Sequence, residues 1–372
     1  MGLNSNYFLP AVRSGAISIN LFSRNLEEFP EDLIKLSGTL EKLNIKKNCI
    51  TDLPRQFSLL QKLTVLHLGH NKFEIFPESI SRLRNLETLH MHDNCITTIP
   101  ESCIGRLGKL KVLNLNSNKI ETIPSDIGFL ENLRFLSIEK NRLKTFPNEI
   151  AHCDSLEEIH ASENELVSLP IGFGYLGKLK KCILRKNLLQ DLPETFGKLT
   201  SLKCLDLAAN DIRIFPTKFH QLRLRELYVE CNQLIVERPV RSVQEDEIMT
   251  LKELASRTCL KELSQTNSLL RRTIKHYPAL REMLSLASKC AMCNSLFLNT
   301  WLECVHFIDS RQIVGSPPVG PNANKSKIPV RALLCSYKCF NAQPSDGDSK
   351  QPVSYYGVAF PASAPPSANT IN

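Results

Sequence analysis

The sequence predicts an α/β solenoid of about ten stacked units, followed by a C-terminal helical cap and a small cysteine-rich segment. Three observations predict it: a motif that returns every 22 to 24 residues, alternating leucines inside each copy, and a change of composition after Leu234. The unit is clearest in LKVLNLNSNKIETIPSDIGFLENL, where Leu110, Leu113, Leu115, Asn118, Ile120, Ile123, Pro124, Ile127 and Leu130 hold the template positions. Aligned on Asn118, the motif recurs at Asn48, Asn71, Asn94, Asn141, Asn164, Asn187, Asn210 and Asn232. A first copy carries Ile19, Leu21, Leu26, Phe29 and Pro30, with Arg24 in place of the asparagine.

Each unit follows from its spacing. Leu113 and Leu115 alternate with Asn114 and Asn116, so the leucines share one face of a short strand and the polar residues the other. A lone unit cannot bury its apolar side, and stacking supplies the core. The asparagine closes the turn after the strand by bonding backbone groups that the curving chain leaves unpaired. Proline then starts an outer leg too short for a long helix. With these residues the array resembles the leucine-rich repeat family, in the subclass of about 23 residues with "LP" on the convex side. The resemblance covers about residues 16 to 236 and implies a horseshoe-shaped leucine-rich repeat solenoid.

At 372 residues and 42% apolar content the chain can bury a sizeable core, and a net charge of +8 permits an acidic partner without demanding one. No apolar run is long enough to span a bilayer, so no membrane association is expected. Thirteen scattered cysteines fit a reducing compartment, which makes the cytoplasm, with the nucleus second, the expected location. Cys182 takes a core leucine position, and Cys49 and Cys95 each follow a ladder asparagine, where a small thiol packs.

Two enzyme-like motifs dissolve into the template. Gly172, Gly174 and Gly177 satisfy G-x-G-x-x-G, yet Pro170, Phe173 and Leu176 place them on a convex leg. His152, Cys153 and Asp154 lie on another such leg, where sequence neighbours do not form a dyad. Recognition is expected instead on the concave face, on the order of 45 Å along its arc for ten strands. Its candidate residues are His67, His70, His90, His92, Asp93, Asn114, Phe135, Glu139, His160, Arg185 and Tyr228. The histidines of adjacent strands suit either a metal or pH-sensitive contact, or ordinary hydrogen bonding to a partner. Lys180, Lys181, Arg185 and Lys186 alternate with Glu157, Glu158 and Glu163, which favours a protein partner over nucleic acid.

The expected domains are an N-terminal extension (1–15), the solenoid (16–241), a helical cap (242–289), a cysteine-paired segment (290–340) and a disordered tail (341–372). Ser242 and Glu245 read as a capping box for a helix carrying Ile248, Leu251, Leu254, Ala255 and Cys259 at helical spacing. Leu269 to Ile274 reads as a second helix, and Pro278 opens a third. Cys290 and Cys293, with Cys335 and Cys339, supply four thiolates for a structural zinc, leaving Cys304 as a spare buried thiol.

Thr250, Leu251, Ala255 and Cys259 resemble the Elongin-binding box of cullin-RING substrate receptors, with Ala255 in place of the usual cysteine and Cys259 in place of an aliphatic residue. Tyr277 and Pro278 resemble the cullin-selecting box that follows it. Repeats, helix and paired cysteines together resemble the leucine-rich repeat-containing protein 58 group. That resemblance implies a non-enzymatic substrate-recognition subunit, with a protein target on its concave face, Elongin B/C and a cullin as partners, and neither nucleic acid nor membrane. The alternative is a signalling scaffold resembling the Ras-associated repeat proteins.

Overall fold

The computed structural model describes residues 10, 14–235, 250–265, 268–298, 302–314, 327–336, 339 and 355–357. Its described residues fall into two compact units. The first takes the chain up to Leu234 together with Asp309–Ser326, and the second takes Ile235–Ile308 with Lys327–Asn372.

The first unit is one sheet of ten parallel three-residue strands in sequence order, from β1 (Ser18–Asn20) through β2 (Lys42–Asn44), β3 (Val65–His67), β4 (Thr88–His90) and β5 (Val112–Asn114). It continues with β6 (Phe135–Ser137), β7 (Glu158–His160), β8 (Lys181–Ile183), β9 (Cys204–Asp206) and β10 (Glu226–Tyr228). The pairing keeps template positions level: Leu66 faces Leu89, and His67 faces His90. The central residue of β1 to β9 is buried, and Cys182 replaces leucine there with no exposure at all. On the convex side most units carry a single 3-10 turn after their proline, such as Ser125–Phe129 after Pro124. The extended φ that proline imposes starts that turn, and the next strand ends it before an α-helix can form.

The asparagine ladder holds the stack. Asn118 accepts from the Ile96 N–H at 3.0 Å, and its amide donates to the Met91 carbonyl of the preceding unit and the Leu115 carbonyl of its own. Asn48, Asn71, Asn94, Asn141, Asn164, Asn187, Asn210 and Asn232 repeat that donation to both carbonyls. The residue just before each ladder asparagine has a positive φ, for instance 53° at His70 and 55° at Asp93. This left-handed kink turns the chain out of the strand, and it recurs regardless of residue type.

The glycine motif has a packing explanation. A Cβ on Gly174 would collide with the Thr195 carbonyl, so glycine lets neighbouring convex turns approach. The array also has a cover of its own at the last repeats. The short helix α4 (Ser310–Ile313) presents the Ile313 carbonyl to the Leu224 N–H at 3.0 Å, and Ile313 and Val314 are buried. This corrects the boundary that assigned residues 290–340 as one cysteine segment: part of that stretch packs with the repeats.

The second unit contains α1 (Leu251–Ser264), α2 (Leu269–Thr273), α3 (Pro278–Ser285), the two-residue strands β11 (Ser288–Lys289) and β12 (Leu296–Phe297), and two long strands, β13 (Leu302–Asp309) and β14 (Lys327–Leu334). β13 lies between β14 and β15 (Tyr355–Gly357), so three residues of the expected disordered tail pair with Cys304–His306. Thr250 caps α1 by accepting from the Glu253 N–H at 3.2 Å. The expected Ser242–Glu245 capping box and Ile248 lie outside the described residues. No helix among the described residues is long and apolar enough to cross a membrane.

Candidate functional site

The third residue of every strand faces the concave side, which builds a column of Asn20, Asn44, His67, His90, Asn114, Ser137, His160, Ile183, Asp206 and Tyr228. The strand register brings His67, His70, His90, His92 and Asp93 together. His67 and His90 stack with centroids 4.6 Å apart and planes 6° from parallel. His70 meets His92 edge to face at 5.0 Å. The left-handed kinks at His70 and Asp93 turn both side chains back over this cluster. Asp93 Oδ2 lies 2.7 Å from His92 Nδ1 and 3.4 Å from His70 Nε2. Gly69 makes room for this, since a Cβ there would stand 2.6 Å from His92 Nε2.

Burial disfavours the charged form of the two stacked imidazoles. Burial, reinforced by His67, His92 and Lys46, lowers His90 to about 4. Burial and Lys46 also lower His67. Burial works to raise the Asp93 carboxyl, but the hydrogen bond from His92 and the nearby imidazoles hold it below its ordinary value. Burial thus works against a positive charge on His67 and His90, beside one carboxylate held below its ordinary value. His70, His92 and Asp93 put their ligand atoms within 4.8 Å of one another.

The remaining concave residues are spread along the arc. Phe135 packs edge to face on His160 at 5.1 Å, and Glu139 is tied to Asn116 through its N–H at 2.7 Å. Lys180 meets Glu157 at 2.5 Å, and Lys186 meets Glu163 at 3.5 Å, so the mixed charges form pairs along the edge. Arg185 is exposed and Tyr228 half-buried near the last strand. The arrangement offers hydrogen bonds, paired charges and one aromatic edge to a protein surface.

In the second unit, α1 has an inverted pattern. Leu251 is 83% exposed and Leu254 49% exposed, with Ala255 and Thr258 also outward, while Glu253 and Ser256 are buried. Cys259 is half-buried, Tyr277 is exposed, and Pro278 holds the first position of α3. Helical periodicity puts these apolar residues on one face but does not say which way that face turns. The missed signal is the pair Glu253 and Arg257, one turn apart, whose Oε1 and Nε meet at 2.7 Å.

The four paired cysteines converge as their spacing predicts. Cys335 Sγ stands 3.5 Å from Cys293 Sγ and 3.6 Å from Cys339 Sγ, and all four sulfurs lie within 4.8 Å of one another. A turn with Asn294 at φ 61° brings Cys293 back toward Cys290, and the Cys335 N–H points at Cys290 Sγ at 3.4 Å. Burial acts to raise the Cys293 thiol, but hydrogen bonds from Ser295 and from the Cys335 and Cys290 thiols bring it down to about 6. Burial pushes Cys335 and Cys339 up. Sulfurs bound to one tetrahedral zinc at ~2.3 Å stand just under ~4 Å apart, so the donor set fits that ion. Cys304 is not one of the four clustered ligand atoms, but it shares a small core with Cys290, Cys335, Phe297, Ala332 and Leu334. None of the thirteen cysteines forms a disulfide.

The ten-stranded array and its asparagine ladder define the chain as a leucine-rich repeat protein with a solenoid fold. Its sequence matches the family described as "Leucine rich repeat" over residues 73–120, 108–166 and 173–234. Leucine-rich repeat-containing protein 69 of Xenopus laevis is 42% identical over 122 residues, 33% of this chain and 34% of that protein. The Homo sapiens protein of the same name is 38% identical over 120 residues, 32% of this chain and 33% of that protein. The match thus spans about a third of the length of these curated relatives. Among solved structures, a Leptospira interrogans LRR protein superposes with a TM-score of 0.56 at 29% identity, covering 62% of this chain and 64% of that one. The plant peptide hormone receptor RGFR1 in complex with RGF2 gives 0.51 at 28% identity, covering 56% of this chain and 34% of that one.

Proposed function

We propose that the chain is a non-enzymatic adaptor whose concave face takes a protein target and whose α1 docks the Elongin B/C subunits of a cullin-RING ubiquitin ligase. One observation carries the second half: α1 turns Leu251, Leu254 and Ala255 to solvent and hides Glu253 and Ser256. A lone helix in water gains nothing from that orientation, whereas an apolar groove on a partner would cover the leucines. The resemblance of Thr250–Cys259 to the Elongin box, of Tyr277 and Pro278 to the cullin-selecting box, and of about residues 248 to 340 to the leucine-rich repeat-containing protein 58 group supports the same reading. The four clustered thiols enter it as a structural zinc site, closed to water and without chemistry of its own. Cytoplasmic or nuclear residence goes with this role, and imaging of a tagged full-length chain tests it.

The experiment is co-purification from cells. Full-length protein should recover Elongin B and C, and Leu251→Asp should lose both while its thermal melt stays unchanged. Recovery of neither by the unaltered chain rejects the ligase role. The scaffold alternative needs only the array, and under it Leu251→Asp keeps every partner.

A further inference from the structure

We infer that metal loading of the Cys290, Cys293, Cys335 and Cys339 site fixes α1, so that zinc controls whether the Leu251 face is presented. The coupling rests on the zinc and docking roles just proposed, and the route is explicit in the contacts.

The inward side of α1 is poor in apolar anchors: Leu260 is its one large buried aliphatic, beside Glu253 at 0% and Ser256 at 3% exposure. Polar contacts must therefore hold the helix. The buried Glu253 carboxylate accepts from Arg257 Nε at 2.7 Å and from the Leu298 N–H at 3.2 Å. A carboxylate in that position is costly unless it is paired. The guanidinium that pairs it is itself tied down by a single backbone group, donating from Nη2 to the Cys335 carbonyl at 2.7 Å.

Cys335 is thus two things at once. Its carbonyl anchors the cation that neutralises Glu253, and its sulfur is central to the thiol cluster. It lies just past the end of β14, where its N–H meets Cys290 Sγ and the Ala291 N–H donates to the Leu333 carbonyl at 2.9 Å. Zinc binding releases the thiol protons to solvent and draws four sulfurs onto one ion. Loading therefore pins Cys335 in place. Without the ion, the two halves of the site are joined by weak sulfur contacts and a few backbone bonds. The carbonyl then moves, Arg257 loses its anchor, and Glu253 loses a positioned partner.

The test uses full-length protein, reduced throughout. Elemental analysis should find a single zinc per chain. Stripping it with a chelator should speed amide exchange in Leu251–Ser264 about tenfold or more, the effect of losing a charge-assisted hydrogen bond. Exchange in the repeat Leu110–Leu133 should stay unchanged, and added zinc should restore α1. Arg257→Lys, which keeps the charge without the planar fork, should loosen α1 while keeping the zinc. Absence of bound metal overturns the inference, as does equal α1 exchange with and without it. Elongin capture is scored separately: if α1 loosens on zinc loss but the loaded chain captures no Elongin, the coupling stands and the docking role falls.

Discussion

The two units solve the same problem by opposite means. In the array, stability is spread over many equivalent leucines, each touching only neighbouring repeats, and the ladder asparagines satisfy the turns between them. In the second unit the buried cluster around the thiols contains one aromatic, Phe297, with Ala332, Leu334 and three buried cysteines. A core that small needs a staple. Repetition makes the array tolerant of a local loss, while on the zinc reading proposed above the second unit depends on one ion and one chain of polar contacts.

The largest effect that separates them is metal removal. Structural zinc contributes on the order of 10 kcal/mol to small domains, so Cys335→Ser should abolish cooperative unfolding of the second unit. A thermal melt followed by circular dichroism should keep the transition of the array. A single shared transition that shifts as a whole would show that the contrast is wrong.

Next in size is a cavity in the middle of the stack. Leu113 is wholly buried in β5, and Leu113→Ala should cost ~2–5 kcal/mol in urea denaturation. Asn118→Ala removes one acceptor and two donations, one to the preceding unit and one within its own, and about 1–3 kcal/mol should be lost, mostly as desolvated backbone groups. Neither change should alter exchange in α1.

The smallest effect is electrostatic. His90 titrates at about 4 in the fold against 6.5 in the unfolded chain, so the unfolded state takes up its proton first as the pH falls. Its contribution is complete above pH 6.5 and is lost as the pH falls through 6.5 toward 4. His90→Asn should flatten the fall of melting temperature across that window, and a profile identical to the unaltered protein would contradict the burial that lowers it.

How much of this was legible in the sequence also divides along the two units. The array was, because period-2 leucines and a fixed asparagine state both the strand and its face: the strand register places His67 beside His90 as the template implies. The left-handed kinks were not, since they fall on Lys47, His70, Asp93 and Ser117 alike and leave no residue signature. In the second unit the cysteine spacing predicted the convergence of four sulfurs, because paired thiols at short intervals have few other uses. The orientation of α1 was not legible. Helical periodicity of Leu251, Leu254 and Ala255 says that they share a face, and burial of the opposite face depends on Glu253 and Arg257 finding Leu298 and Cys335, contacts made far along the chain.

The central claim is that partners meet the inner wall of the array. The convex side is a real competitor, since Phe129, Ile171 and Tyr175 are exposed there. Hydroxyl-radical footprinting of the full-length protein, alone and with a target recovered by affinity capture, decides between them. Protection at His67, His90, Phe135, His160 and Tyr228 with the convex residues unchanged is the predicted result. Protection of Phe129, Ile171 and Tyr175 with an unprotected inner column would contradict it.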